Sequence, residues 1–367
     1  MSTDTGRFFL PDPTEVRREV LEAMLGPMIG HRTAEAEALM ERIQPGLKHT
    51  FRTGRPVYLA PASGTGMMEM AVRNAAQARV LSLVNGAFSE RFARIGEQCG
   101  LHVDRVAVEW GENHTPAMLD DALSAGHYDT VTICHSETST GVLNPIRELA
   151  EVAHRHGAVV LVDTVSSMAG APVETDAWAL DFVVTGAQKA LALPPGLGFA
   201  VAQPHILDRA RSNPARGLYF DALAFEENLE TSQTPNTPAI SLMYAAAVQM
   251  EAILEEGIEG RWARHQTMAD RTYAWIDGMR ESGFEIGVLA PEGYRSPTVT
   301  CVTVPDGLAA TDVCADLRAH GYAVAPGYGK ARDDMFRIGH MGDHTLDELE
   351  ALLDALTTVF GEVTIRG

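Results

Sequence analysis

Short apolar runs and longer helical periods alternate along the first part of the chain. From Val57 to about Ala202 the runs VYLA, VLSLV, TVTIC and AVVLV are separated by segments whose apolar residues recur every three to four positions, beginning near Met67, near Ser89 and after Pro145. Runs that are apolar throughout and joined by helices predict strands buried on both faces of a mostly parallel sheet, an α/β arrangement. The segment PAISLMYAAAVQMEAILEEG predicts a long helix that opens at Pro238 and stops at Gly257, with a second helix over 261–280. After it the pattern changes to strands near TVTCVTV and YAVA and helices over 309–319 and 345–359. The expected organisation is an N-terminal arm at 1–20, a large domain at 21–262 and a smaller α+β domain at 263–367. No 20–50-residue repeat interrupts this order, which excludes a solenoid.

Charge narrows the partners. The chain has 367 residues and a formal charge of −20, from 29 Lys and Arg against 49 Asp and Glu. With no basic cluster to offset it, nucleic acid and anionic membrane are poor partners. The N-terminal sequence lacks a basic start followed by an apolar core, and no apolar stretch approaches the roughly 18 residues of a membrane span, so a soluble cytoplasmic protein is expected. Cys99, Cys134, Cys301 and Cys314 lie far apart without CxxC spacing, and read as structural thiols rather than a metal site or disulfides.

In open parallel sheets the ligand crevice lies beyond the carboxyl ends of the strands. Three exits here carry polar groups: TICHSETSTG supplies Thr138 and Ser139, VVLVDTVSS supplies Asp163, and DFVVTGAQKAL supplies Lys189. Alone, Asp163 reads first as a cap on the following turn and Lys189 as a solvated loop residue. Together they suit a cofactor with a basic ring nitrogen and an aldehyde. A carboxylate keeps a pyridine nitrogen protonated, and a lysine amine forms a Schiff base with the aldehyde carbon. That cofactor is pyridoxal phosphate. Its phosphate has a candidate cradle in Ser63-Gly64-Thr65-Gly66, between a short strand and a helix, although the same residues also fit a tight structural turn. Neither GK[ST] nor G-x-G-x-x-G is present, which weakens a nucleotide reading. Phe88, just after Asn-Gly, is either a core aromatic or a flat partner for the ring.

ASGTGMMEMAVRN, HSETSTGVLNPI, LVDTVSS, TGAQKALALPPGLGFAV, TPNTPAISLMYA and FRIGHMG occur in this order. The chain thereby resembles the class V, fold type I pyridoxal-phosphate aminotransferases, the serine/alanine–glyoxylate group in particular, from FLPDPTEV to its last helix. The resemblance implies a seven-stranded, mostly parallel sheet in the large domain and a smaller C-terminal α+β domain. It implies Lys189 as the Schiff-base lysine, Asp163 as the pyridinium partner, Phe88 as the stacking ring, Thr138 beside the ring hydroxyl and Gln188 as a phosphate contact. Ser63, Gly64 and Thr65 would hold the phosphate, and Thr237 with Thr234 would reach it from the second subunit of a homodimer with shared active sites. Arg337 in FRIGHMG would bind the α-carboxylate, since a guanidinium engages both oxygens; a surface arginine at a strand edge is its plain alternative.

The implied reaction is ping-pong transfer of an amino group from alanine or serine to a 2-oxo acid such as glyoxylate or pyruvate, with Lys189 as nucleophile and general base in turn. His31 and Arg32 precede a helix and leave the donor open. If Arg32 faces the site, aspartate or phosphoserine is the expected donor; if it has a local structural role, small donors fit. Two rivals have less support. A cysteine desulfurase-like lyase would carry His before the lysine, where this chain has Gln188, and a catalytic Cys in a mobile loop. A non-catalytic scaffold has no reason to keep Lys189, Asp163 and Arg337 together.

Overall fold

In a computed structural model that describes residues 7–366, the apolar runs lie side by side in one seven-stranded sheet. In chain order its strands are β1 (Tyr58–Ala60), β2 (Arg79–Val84), β3 (His102–Ala107), β4 (Thr130–Cys134), β5 (Val159–Asp163), β6 (Phe182–Gly186) and β7 (Gly198–Ala202). Their spatial order is β1-β7-β6-β5-β4-β2-β3. The run from β6 to β3 is parallel throughout, and β7 is antiparallel to both β6 and β1.

Strands β4 to β7 are buried along their whole length because both faces are covered. Successive residues feed opposite cores: Val160, Val162 and Val183 pack on one side, Leu161, Phe182 and Val184 on the other. Each such side chain contributes on the order of 1.5–3 kcal/mol by leaving water. Edge strand β3 alternates exposed and half-buried residues, which is why HVDRVA carries no apolar run.

The helices framing the site are α1 (Ala34–Phe51), α2 (Gly64–Ala75) and α3 (Ala87–Gln98). Helix α2 begins three residues before the expected Met67. Its first turn, Gly64-Thr65-Gly66, contains no apolar residue for the periodicity to register, and Ser63 Oγ caps it by accepting the Gly66 N–H at 3.3 Å. Helix α4 (Ile240–Glu256) packs on α1, and Gly257 separates it from α5 (Ile258–Glu281).

Helix α5 buries Ile258 in the large core and Met268, Trp275 and Ile276 in a second core. The boundary expected at 262/263 therefore falls inside this helix. The second core belongs to an antiparallel sheet of β8 (Gly287–Val288), β9 (Thr300–Thr303), β10 (Ala325–Pro326) and β11 (Met335–Ile338), in the order β8-β9-β11-β10. Residues from α6 (Ala310–Ala319) and α7 (Leu346–Arg366) complete it.

The start of the chain is tied to this smaller unit. Arg7 and Phe8 pair in parallel with Tyr322 and Ala323, and Phe9 is fully buried in its core. Of the expected arm, residues 1–6 lie outside the described residues. Residues 10–14 then cross to the large unit as a strap, where the Thr14 N–H donates to the Gln188 carbonyl at 3.0 Å.

Candidate active site

Asp163 and Lys189 both line one cleft beyond the carboxyl ends of β4, β5 and β6. Asp163 is the last residue of β5, registered beside Cys134 of β4. Its Oδ1 accepts the Val165 N–H at 2.8 Å, so the turn-capping reading is satisfied by one oxygen only. Its Oδ2 meets the Cys134 thiol at 3.5 Å, a weak donor. The carboxyl is 3% exposed, and among the described residues no cation forms an ion pair with it. Burial pushes its pKa up to about 6, against the pull of the Val165 N–H.

Lys189 follows β6 by three residues in a turn closed by the Ala192 N–H on its carbonyl. It is 2% exposed, which overturns the solvated-loop reading. Nζ donates to the Pro11 carbonyl at 2.7 Å and lies 3.1 Å from Asp12 Oδ2, both on the strap. Burial holds its pKa below the usual lysine range; Asp12 opposes that shift and Arg337 reinforces it.

Ser63, Gly64 and Thr65 form one wall of the cleft at the N-terminus of α2, where first-turn N–H groups lack intrahelical partners and the helix dipole favours an anion. A Cβ on Gly64 would fall 2.5 Å from Val165 Cγ2, so glycine lets this turn approach the one after Asp163. Gln188 and Thr138 line the same cleft, and the Thr138 hydroxyl hydrogen-bonds the Ser166 hydroxyl.

Phe88 faces the cleft from the first turn of α3, with Lys189 Nζ 5.8 Å from its ring centroid. Glu137, fully buried, fixes that turn by accepting from the Phe88 and Ser89 N–H groups and the Ser89 hydroxyl. Ser139, expected to face the cleft with Thr138, instead donates its hydroxyl to Glu137 at 2.6 Å. Arg91, in the next turn, stacks 4.8 Å from the Phe88 centroid and donates to the Thr65 and Tyr328 hydroxyls, each at 3.2 Å.

Arg337 lies inside β11, 8% exposed, so it is no surface arginine. Its Nε donates to the Pro326 carbonyl at 3.0 Å, and its guanidinium lies 5.6 Å from the Tyr328 ring centroid. Among the described residues no carboxylate forms an ion pair with it. Burial lowers its pKa, yet a guanidinium keeps its charge.

His31, Arg32, Thr234 and Thr237 do not line this cleft. Arg32 is exposed and tied to its own chain: it donates to Gln233 Oε1 at 2.8 Å and to the Thr234 carbonyl at 2.7 Å. It thus anchors the segment carrying Thr234, whose hydroxyl bonds the Asn236 carbonyl at 2.7 Å, and Thr237, which is exposed.

The arrangement fits pyridoxal phosphate on its own terms. It provides a buried carboxylate lacking a cation, a buried primary amine, a flat ring and an anion cradle around one cleft. Burial raises the pKa of all four unpaired thiols, to about 12 for Cys301 and Cys314, so none is a ready nucleophile. Sequence reasoning missed Asp12, Arg91, Ser166 and Tyr328. Only FLPDPTEV offered a signal for Asp12, and it has no period that would point its side chain anywhere.

Comparison with known proteins agrees with this geometry. Residues 28–351 match the family model described as Aminotransferase class-V. An uncharacterized aminotransferase of Methanocaldococcus jannaschii is 40% identical, over 91% of this chain and 87% of that protein. The L-aspartate–glyoxylate aminotransferase of Paracoccus denitrificans is 31% identical over 94% of this chain and 88% of its own. Among solved structures, an alanine–glyoxylate aminotransferase from Nostoc sp. superposes with a TM-score of 0.92 at 27% identity, covering 98% of this chain and 96% of that one.

Proposed function

The chain belongs to the class-V aminotransferases, which use pyridoxal phosphate, and from that premise we propose that it moves the amino group of a small donor, alanine or serine, to glyoxylate or a similar 2-oxo acid in two half-reactions. The observation that carries the site assignment is the convergence of buried Lys189 and buried Asp163 in one cleft. When bound there, the cofactor supplies a cationic ring able to take up the electron pair left as a Cα–H bond breaks.

The residues act on either side of that event. Asp163 holds the proton on the ring nitrogen, and its desolvated carboxylate gains a cation that the protein itself does not provide. Lys189 Nζ would take the Cα proton and deliver it to the cofactor's exocyclic carbon. Arg337 holds the α-carboxylate with two parallel hydrogen bonds, which fixes the bond presented for cleavage. Phe88 supports the ring, while the first turn of α2 and Gln188 hold the phosphate.

Glyoxylate as acceptor is supported by the names of both the Paracoccus and the Nostoc relatives. A small donor is supported by Arg32 being committed to residues 233–234. Acidic donors form a second reading, favoured by one observation: Arg91 lines the cleft with only hydroxyls and a ring as partners. We also infer a homodimer in which Thr234 and Thr237 reach the phosphate of the other subunit, since they lie away from the cleft of their own chain. Exposed Leu25, Met28 and Leu218 supply apolar surface for such an association. Four unpaired thiols suit a reducing compartment such as the cytoplasm.

A half-reaction screen tests the donor. The yellow holoenzyme is mixed separately with alanine, serine, aspartate, glutamate and phosphoserine, and loss of its visible absorption is followed. Fast bleaching by alanine and serine is expected; bleaching by the acidic donors alone overturns the small-donor assignment and leaves aminotransfer intact.

A further inference from the structure

The strap over the cleft places an anion at the lysine that the roles above leave unused. Asp12 Oδ2 lies 3.1 Å from Lys189 Nζ, and the preceding Pro11 carbonyl accepts a hydrogen bond from the same nitrogen at 2.7 Å. The strap is fixed at both ends. The Phe9 N–H donates to the Ala323 carbonyl and the Gly339 N–H to the Phe9 carbonyl, each at 2.8 Å, while the Thr14 N–H donates to the carbonyl of Gln188, the residue before the lysine. A Cβ on Gly339 would fall 2.6 Å from the Leu10 backbone, so strap and β11 exit are in close contact.

A buried amine that must take a proton from carbon has a difficulty: the ammonium it becomes is poorly solvated. The charged groups around Nζ are Asp12 from the strap, Arg337 from β11 and Asp163 at the end of β5. In the holoenzyme reading Asp163 is engaged by the cofactor ring and Arg337 by the substrate carboxylate, which leaves Asp12 as the charge free to pair with Nζ. We propose that Asp12, with the Pro11 carbonyl, is a positioning residue that receives the Lys189 amine whenever it is not bonded to the cofactor and stabilises it once it has taken a proton. The inference rests on Lys189 being the cofactor lysine. The proton that Nζ takes from Cα would be delivered to the cofactor's exocyclic carbon, the electron pair it leaves behind would pass into the cofactor ring, and Asp12 exchanges no proton.

The test reads the amine directly. In the cofactor-free full chain, Lys189 is labelled by acetic anhydride across pH and quantified by mass spectrometry, for the parent, Asp12→Asn and Asp12→Glu. Loss of the anion lowers the pH of half-labelling in Asp12→Asn, by about one unit, while Asp12→Glu stays close to the parent. In the holoenzyme the acid limb of the kcat profile moves down in the same variant and its plateau falls, because a weaker base accepts the Cα proton less readily. An unchanged midpoint in Asp12→Asn, or equal shifts in both variants, overturns the proposal. Failure of the parent to give a borohydride-reducible adduct at Lys189 would instead overturn the cofactor assignment.

Discussion

Two aspartates mark opposite ends of the same sheet. Asp163 closes β5 at the carboxyl end, and Asp181 stands just before β6 at the other; each is 3% exposed. Asp181 is fully served: Oδ2 accepts the Val160 N–H at 2.7 Å and His154 Nε2 at 2.8 Å, and Oδ1 accepts His205 Nε2 at 2.8 Å. A carboxylate has no proton to give, so both imidazole nitrogens must carry one. Asp163 has one backbone N–H and a thiol. The wider opening lies at the Asp181 end. Size therefore points to the wrong end. What separates the two sites is the balance of donors around a buried charge: saturated at Asp181, where the carboxylate ties the helices over 146–155 and 204–212 to the sheet, and deficient at Asp163, where a ligand cation completes it.

The largest test of this contrast is Asp163→Asn. Losing the charge opposite the ring nitrogen lowers kcat by about 10²–10³, measured at saturating donor and cofactor. The same change stabilises the cofactor-free chain. The folded carboxyl titrates at about 6, above its unfolded value near 3.9, so folding takes up a proton between these limits and stability falls as pH rises through them. By pH 7 the parent has lost about 3 kcal/mol that Asp163→Asn retains, while below pH 4 the two unfold alike in urea. A variant less stable than the parent at pH 7 would mean that Asp163 is already satisfied without a ligand.

Asp181→Ala has the opposite signature. It leaves the Val160 N–H buried without an acceptor and frees two imidazoles, costing about 2–3 kcal/mol in urea unfolding. With the cleft untouched, kcat stays within about twofold of the parent. A large fall in kcat with intact stability would erase the distinction between the two ends.

The sequence already contained the half of this comparison that has a period or a terminus to mark it. The mostly apolar runs of β4, β5 and β6 announced central parallel strands, and Asp163 and Lys189 stand out because one ends such a run and the other follows one by three residues. Arg337 was recognisable only through FRIGHMG, since its isolation from carboxylates is a property of packing. Asp12 and Arg91 were not legible. One lies on an aperiodic strap, and the other is one of many arginines, most of them paired, until the fold sets Arg91 against Phe88. Ser139 was misplaced for a related reason: it shares a turn with Thr138, where no period tells which way a side chain points, and Glu137, hidden in an ordinary polar stretch, claims Ser139 while leaving Thr138 to the cleft.

The smallest test concerns His154, the partner of Asp181 that leaves one third of its side chain in water. The hydrogen bond to Asp181 raises its pKa above the usual histidine value, against the opposing effect of burial. A histidine raised on folding gives stability that is fully present below its unfolded pKa, near 6.5, and is lost as pH climbs through the folded value. His154→Gln should therefore be less stable than the parent by about 0.5 kcal/mol at pH 6, a discount for exposure, with the gap closing by pH 8. Its pH profile of kcat should superimpose on the parent's, because the proton concerned sits at the end of the sheet away from the cleft. If that profile moved with His154, the saturated end would be coupled to the reacting end through β5 and β6, and donor balance alone would no longer explain why one aspartate does chemistry and the other does not.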